Sequence, residues 1–201
     1  MNRKPFFDAL RGGILGETLS SQEVQGCEAL LDACAGWPLS WTAYALATAY
    51  HETAGTMQPI HEYGTRAYFM RRYDVTGANP TLARELGNTV PGDGARFAGR
   101  GYVQLTGRTN YRRMAEALRV DLVAQPDLAM QPGIAARILR HGMERGSFTG
   151  KGLSDFLPRN GRAASLQYQA ARRIINGVDK ARKIAGYAME FEDALVRGNW
   201  A

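Results

Sequence analysis

Two cysteines, three histidines and no long apolar run set the first limits on this chain of 201 residues. A membrane-crossing helix needs roughly 18 to 20 consecutive apolar residues. No stretch approaches that, so stable membrane insertion is not expected. Cys27 and Cys34 are the whole cysteine complement. On one helix they lie about 10.5 Å apart along the axis, beyond the reach of a disulfide. A thiolate zinc site is equally out of reach, and both read as small buried hydrophobes of a reducing compartment. A secretory signal is not expected either. Arg3 and Lys4 precede Pro5-Phe6-Phe7, but Asp8 and Arg11 interrupt the apolar run and no small-residue cleavage site follows. Residues 1–16 are expected to form a short amphipathic helix of a protein made in the cytoplasm. There is no internal repeat and no low-complexity linker.

What is present argues for one folded domain spanning 1–201, with room for two lobes. Apolar residues make up 45% of the chain and charged residues 22%, which excludes disorder. Lys+Arg number 25 against 19 Asp+Glu, a surplus of six positive charges. That surplus points to an anionic partner without choosing among nucleic acid, a membrane surface and a cell-wall polymer.

Helical signals dominate. Ser20-Ser21-Gln22-Glu23 has the capping-box form and opens a helix running to about Ala35, stopped by Gly36. Ser40 is placed to cap a second helix that ends near Thr53, and Asn79-Pro80 opens a short one ended by Gly87. Further helices are expected at about 110–119, 134–145, 163–175 and 179–196, the last with Ile184, Tyr187, Ala188, Phe191 and Leu195 on one face. Residues 87–107 differ: six glycines surround a β-leaning run, Tyr102-Val103-Gln104-Leu105-Thr106. The fold class expected is mainly α, two-lobed, with a small glycine-rich β element.

Three segments carry residues that are costly choices for stability alone. Glu52, after His51, ends a helix of small and apolar residues. Burial without a cation would keep its carboxyl protonated, as a general acid requires; a solvated Glu or one paired with an Arg is the bland alternative. Ten residues later, beyond a turn, comes Glu62 in His61-Glu62-Tyr63. Two carboxylates flanking a bond are the minimum for glycoside hydrolysis. The two His-Glu pairs lack the zincin spacing, so no metal and no cofactor is expected. In the second segment, 97–111, glycines flank Arg100, and strand alternation would put Tyr102, Gln104 and Thr106 on one polar face suited to sugars. The third, Arg172 to Gly177, sets Asn176 at a helix end, where a C-cap is the alternative.

Together the three segments resemble the family 19 glycoside hydrolases, chitinase-like enzymes whose relatives include phage endolysins of lysozyme-like fold. His51-Glu52-Thr53 matches the family's His-Glu-Thr. Gly99-Arg100-Gly101-Tyr102-Val103-Gln104-Leu105-Thr106, followed by Asn110-Tyr111, matches its Gly-Arg-Gly-x-x-Gln-Leu-Ser/Thr, and Ile174-Ile175-Asn176-Gly177 matches its Ile-Asn-Gly-Gly. The similarity runs from about Tyr44 to Tyr187. It implies Glu52 as general acid, Glu62 as general base, Thr106 as a holder of the attacking water, and Gln104, Asn110 and Asn176 as ligands of N-acetyl sugars. His51, Tyr63 and Arg100, beside these in the chain, complete the expected substrate contacts. It also implies inversion at the anomeric carbon, with carboxyl groups roughly 6.5 to 9.5 Å apart. Two departures stand out: Val178 replaces the second glycine of the last motif, and the segment between the glutamates is short. Glu85 and Asp93 are the fallback bases.

The leading expectation is therefore a monomeric endolysin-type glycosidase of peptidoglycan glycan strands. It would be made in a host cytoplasm and act on the wall in the periplasm after release through a separate holin-type pore. A chitinase of the same family is the nearest alternative. A nucleic-acid-binding protein, suggested by Arg71-Arg72, Arg112-Arg113 and Arg172-Arg173, is the rival from another class, although no basic run joins these pairs. An inactive wall-binding module is a third reading, disfavoured by the retention of Glu52, Glu62 and Thr106.

Overall fold

A computed structural model describes residues 1–200. The helices are α1 (Arg3–Leu10), α2 (Ser21–Ala33), α3 (Leu39–Glu52), α4 (Arg66–Tyr73), α5 (Pro80–Glu85), α6 (Asp93–Arg96), α7 (Arg108–Leu118), α8 (Pro132–Arg145), α9 (Ser165–Ala171) and α10 (Ala181–Arg197). The strands β1 (Ile60–His61) and β2 (Arg100–Gly101) are the only sheet among the described residues. The mainly α class read from the sequence is the observed one. No described helix is long and apolar enough to cross a membrane. The chain divides into two compact units, one of residues 1–58 with 139–201 and one of residues 59–138.

The first unit is built on α3. Its residues 40–49 are all buried, so it is covered on every side, the mark of a central helix. It is covered by α10, whose buried face is Ile184, Ala185, Ala188, Phe191 and Leu195. Tyr187, expected on that face, is only half-buried and meets the Tyr50 ring edge-on at 4.8 Å. α2 opens with the capping box read from the sequence: Ser20 Oγ accepts from the Glu23 N–H at 3.1 Å, and Glu23 Oε2 accepts from the Ser20 N–H at 2.8 Å. Such a cap contributes about 1 kcal/mol. Ser40 does not cap α3. It lies inside the first turn, and its hydroxyl donates instead to the Pro158 carbonyl at 2.8 Å. Cys27 and Cys34 are buried free thiols, and burial pushes Cys34 up to about 12.

The second unit carries the glycine-rich element, and here one expectation fails. The run from Tyr102 to Thr106 is not a strand. Ile60 pairs with Gly101 and His61 with Arg100 in antiparallel register, and Arg100 then bridges back to Leu105. Residues 102–104 form the turn between them, with Gln104 in the left-handed region at φ 51°. A turn cancels the period-two alternation, so Tyr102 is fully buried while Gln104 and Thr106 stay partly exposed. α4 carries no apolar stripe for the sequence to announce; Thr65 caps it by accepting from the Tyr68 N–H. The loop beyond is folded onto buried Asp74, whose carboxylate accepts from the N–H groups of Thr76, Gly92 and Gly94 and from the Thr76 hydroxyl. A Cβ on Gly94 would lie 2.5 Å from the Asp74 nitrogen, so only glycine fits.

Candidate active site

Glu52 is the last residue of α3, and of the settings left open for it the structure has the one paired with an arginine. The carboxyl is not buried alone. Oε1 accepts from Arg172 Nη1 at 2.7 Å, with the arginine side chain 3% exposed and the glutamate 22%. Arg172 follows α9, where Tyr168, Ala171 and Ile174 turn inward and carry the arginine into the core with them. Its Nε donates to the Asp179 carbonyl at 3.0 Å. One guanidinium thus fixes the Glu52 carboxyl and the loop that holds Asn176, as the fork geometry of arginine allows. Asn176 lies exposed in that loop, its N–H bonded to the Arg172 carbonyl, with Gly177 at φ 48° and Val178 exposed beside it. His51 is half-buried near Tyr187. Burial holds it below its usual range, with Arg172 adding to the effect and Glu52 opposing it. The first unit therefore gathers Glu52, His51 and the Asn176 loop.

Glu62 is held differently. Its carboxylate accepts from the Tyr73 hydroxyl at 2.7 Å through Oε1 and from the Gly99 N–H at 3.1 Å through Oε2. Its own N–H donates to the Gly99 carbonyl at 2.8 Å, so the chain on both sides of the turn is locked to it. A Cβ at position 99 would come within 2.8 Å of Gln104 Oε1 and 3.0 Å of Glu62 Oε2; glycine is what allows this approach. Burial, then the bond to Glu62, pushes the Tyr73 phenol up to about 12, so it remains a donor throughout the neutral range. Gln104 Nε2 donates to the Ile60 carbonyl at 3.2 Å. The Thr106 hydroxyl donates to the Gln104 carbonyl at 2.8 Å, and Asn110 Nδ2 donates to the Thr106 carbonyl at 2.8 Å. With its proton engaged, the Thr106 oxygen can act towards a water only as an acceptor.

Other residues singled out from the sequence have different surroundings. Arg100 is taken up by the fold: it bonds Asp127 at 2.8 Å, the carbonyls of Arg96 and Ala98, and the Tyr111 hydroxyl. Tyr63 is 86% exposed. Of the fallback bases, Asp93 is 2% exposed and bound by both Nε and Nη2 of Arg108, a structural pair, while Glu85 sits exposed at the end of α5. Among the described residues no group of three or more His, Cys, Asp and Glu is placed to hold a metal ion.

Two residues that hold the candidate carboxyls, one in each unit, were given no role by the sequence reading. Arg172 stood at the head of the third segment and in an arginine pair, with no role assigned; the missed signal is a cation on the inward stripe Tyr168-Ala171-Ile174. Tyr73 stands eleven residues from Glu62, and no spacing rule links them.

The family model that matches residues 40–138 is that of glycoside hydrolase 19, described as chitinase class I. Among solved structures, chitinase C from Streptomyces griseus HUT6037 aligns over 97% of this chain and 75% of its own, at 19% identity and a TM-score of 0.57. A bacterial family 19 chitinase, whose crystal structure and enzymatic properties reveal differences with plant enzymes, aligns over 98% of this chain and 94% of its own. Its identity is 18% and its TM-score 0.54. At such identities the likeness shows the fold. No curated protein matches the chain.

Proposed function

The chain belongs to glycoside hydrolase family 19 and is a glycosidase; from that premise we propose that it is an endolysin-type enzyme cleaving the β-1,4 bonds of bacterial peptidoglycan. The observation that carries the wall substrate is the distribution of charge. Residues 59–138, the unit that holds Glu62, contain eleven arginines and no lysine against seven acidic residues. A neutral polymer has no use for that surplus, whereas an anionic wall does. A chitinase is the second reading, favoured by the two chitinase structures that share the fold.

In the proposed reaction Glu52, its Oε1 held by Arg172, carries the proton on Oε2 and gives it to the glycosidic oxygen as the bond from the anomeric carbon breaks. Water attacks that carbon from the opposite face, and Glu62 takes the water proton. The Thr106 oxygen accepts a hydrogen bond from the other O–H of that water, which stays on the new anomeric hydroxyl, and so fixes the direction of attack. The products are two shorter glycans with one inverted anomeric centre, and solvent returns the proton from Glu62 to Glu52. His51, Tyr63, Gln104, Asn110 and Asn176 are the proposed sugar contacts. Synthesis in a host cytoplasm and release to the wall through a separate pore complete the proposal.

Mass spectrometry of digested, purified peptidoglycan beside a chitin oligosaccharide tests it. New reducing ends on muropeptides support the wall reading; cleavage of chitin alone overturns it. Wall lysis is also expected to weaken with added salt more than oligosaccharide cleavage does.

A further inference from the structure

We infer that the arginine-lined pocket of residues 59–138 binds the carboxylate-bearing stem peptide of peptidoglycan. This rests on the wall substrate proposed above and says which part of that substrate the cations meet. The pocket encloses about 600 Å³, the size of a small-ligand site, and Arg66, Arg96, Arg108, Phe69, Val90 and Pro91 line it. The acid in its wall, Asp93, is 2% exposed and already doubly bonded to Arg108, leaving two arginine charges in surplus. Arg96 donates to the carbonyls of Val123 and Ala124 through Nη2 only, so Nε and Nη1 carry further N–H donors. The Arg66 side chain, on the exposed first turn of α4, makes no hydrogen bond or ion pair among the described residues.

That donor set suits carboxylates. Arginine forks bind them bidentately, and this unit uses arginine at every cationic position. Phe69, Pro91 and Val90, the last 52% exposed, add an apolar wall between the cations. A stem peptide alternates free carboxylates with alanine methyls and methylene chains, matching both features, whereas an unsubstituted N-acetyl sugar offers no anion. The position fits as well. Phe69 stacks on Tyr73 with ring centres 6.4 Å apart and planes at 12°, and the Tyr73 hydroxyl is the donor that holds Glu62. A peptide in the pocket thus lies against the aromatic layer that supports the proposed base.

The test compares glycan strands bearing stems with the same strands stripped by an amidase, using wild type, Arg66→Gln, Arg66→Lys and the double variant Arg66→Gln/Arg96→Gln. On stem-bearing strands Arg66→Gln should raise KM about tenfold with kcat unchanged, the size of one charge-assisted contact. Arg66→Lys should recover part of the loss, and all variants should match wild type on stripped strands. Equal KM for wild type and the double variant on stem-bearing strands would overturn the inference. If wild type cleaves neither strand, the wall reading fails, and binding of N-acetylmuramyl-L-alanyl-D-glutamate followed by NMR decides the pocket alone. Shifts at Arg66 and Arg96 side chains support it. No binding at millimolar ligand, or an equal response to inorganic phosphate, contradicts it.

Discussion

The two glutamates offer the same functional group in two different settings. Glu52, in the unit of residues 1–58 and 139–201, is fixed by a buried cation, Arg172, which sits in its place through the packing of α9. Glu62, in the unit of residues 59–138, is fixed by neutral donors, a phenol and a backbone N–H, at a position that needs glycine opposite. The first depends on a guanidinium taken out of water, which is costly to leave without its partner. The second depends on a tight turn and hydrogen bonds that each contribute less. Stability and chemistry should therefore separate differently at the two sites.

The largest effect is expected from the carboxyls themselves. Glu52→Gln and Glu62→Gln should each lower kcat by about 10²- to 10⁴-fold, the range for a general acid or base, with unchanged far-ultraviolet circular dichroism. Equal activity of either variant and wild type on purified glycan would break the assignment. Arg172→Ala comes next and should divide the two sites. Leaving one side of a buried pair should cost about 3 kcal/mol in denaturant unfolding, and hydrogen exchange should show the 176–179 loop loosened. Tyr73→Phe keeps the stack on Phe69 and removes one donor. It should cost about 1.5 kcal/mol at most while reducing kcat about tenfold with KM unchanged. A larger stability loss from Tyr73→Phe than from Arg172→Ala would reverse the comparison.

Acid should reveal the same division at smaller scale. His51 and His141, both in the first unit, are held below 6.5 chiefly by burial. The unfolded chain then binds more protons than the folded one, so stability declines as pH falls from about 6.5 towards the folded values and changes no further from this source below them. In the second unit burial pushes Asp74 upward, but the Thr76 hydroxyl and the N–H groups of Gly94, Thr76 and Gly92 outweigh it and hold it below 3.8. Its contribution is present above that value and is lost as pH falls through the lowered one. Unfolding measured against pH should show two steps, and His51→Gln/His141→Gln should remove only the upper one.

How much of this was legible depended on how local the physics was. The capping box at Ser20, the Asn79 cap and the central α3 follow from short-range rules, and the structure has them. The motif around Glu52 and the glycine-rich segment announced the family. Tyr102 to Thr106 misled because β-leaning residues sit in a turn whose geometry is set by the Arg100–Leu105 bridge rather than by propensity. Whether Glu52 was buried alone or paired with an arginine stayed open in the sequence because its partner lies 120 residues away. Tyr73 and Arg172 are positioned by tertiary packing, and no spacing rule reaches them.

The direct test of the account is the stereochemistry of a single turnover. Proton NMR of a β-1,4-linked N-acetyl oligosaccharide, recorded before mutarotation, reports the anomer first released. Glu52 and Glu62 acting as acid and base on one water give the α-anomer first. Initial release of the β-anomer would contradict that mechanism and require a covalent or neighbouring-group intermediate instead.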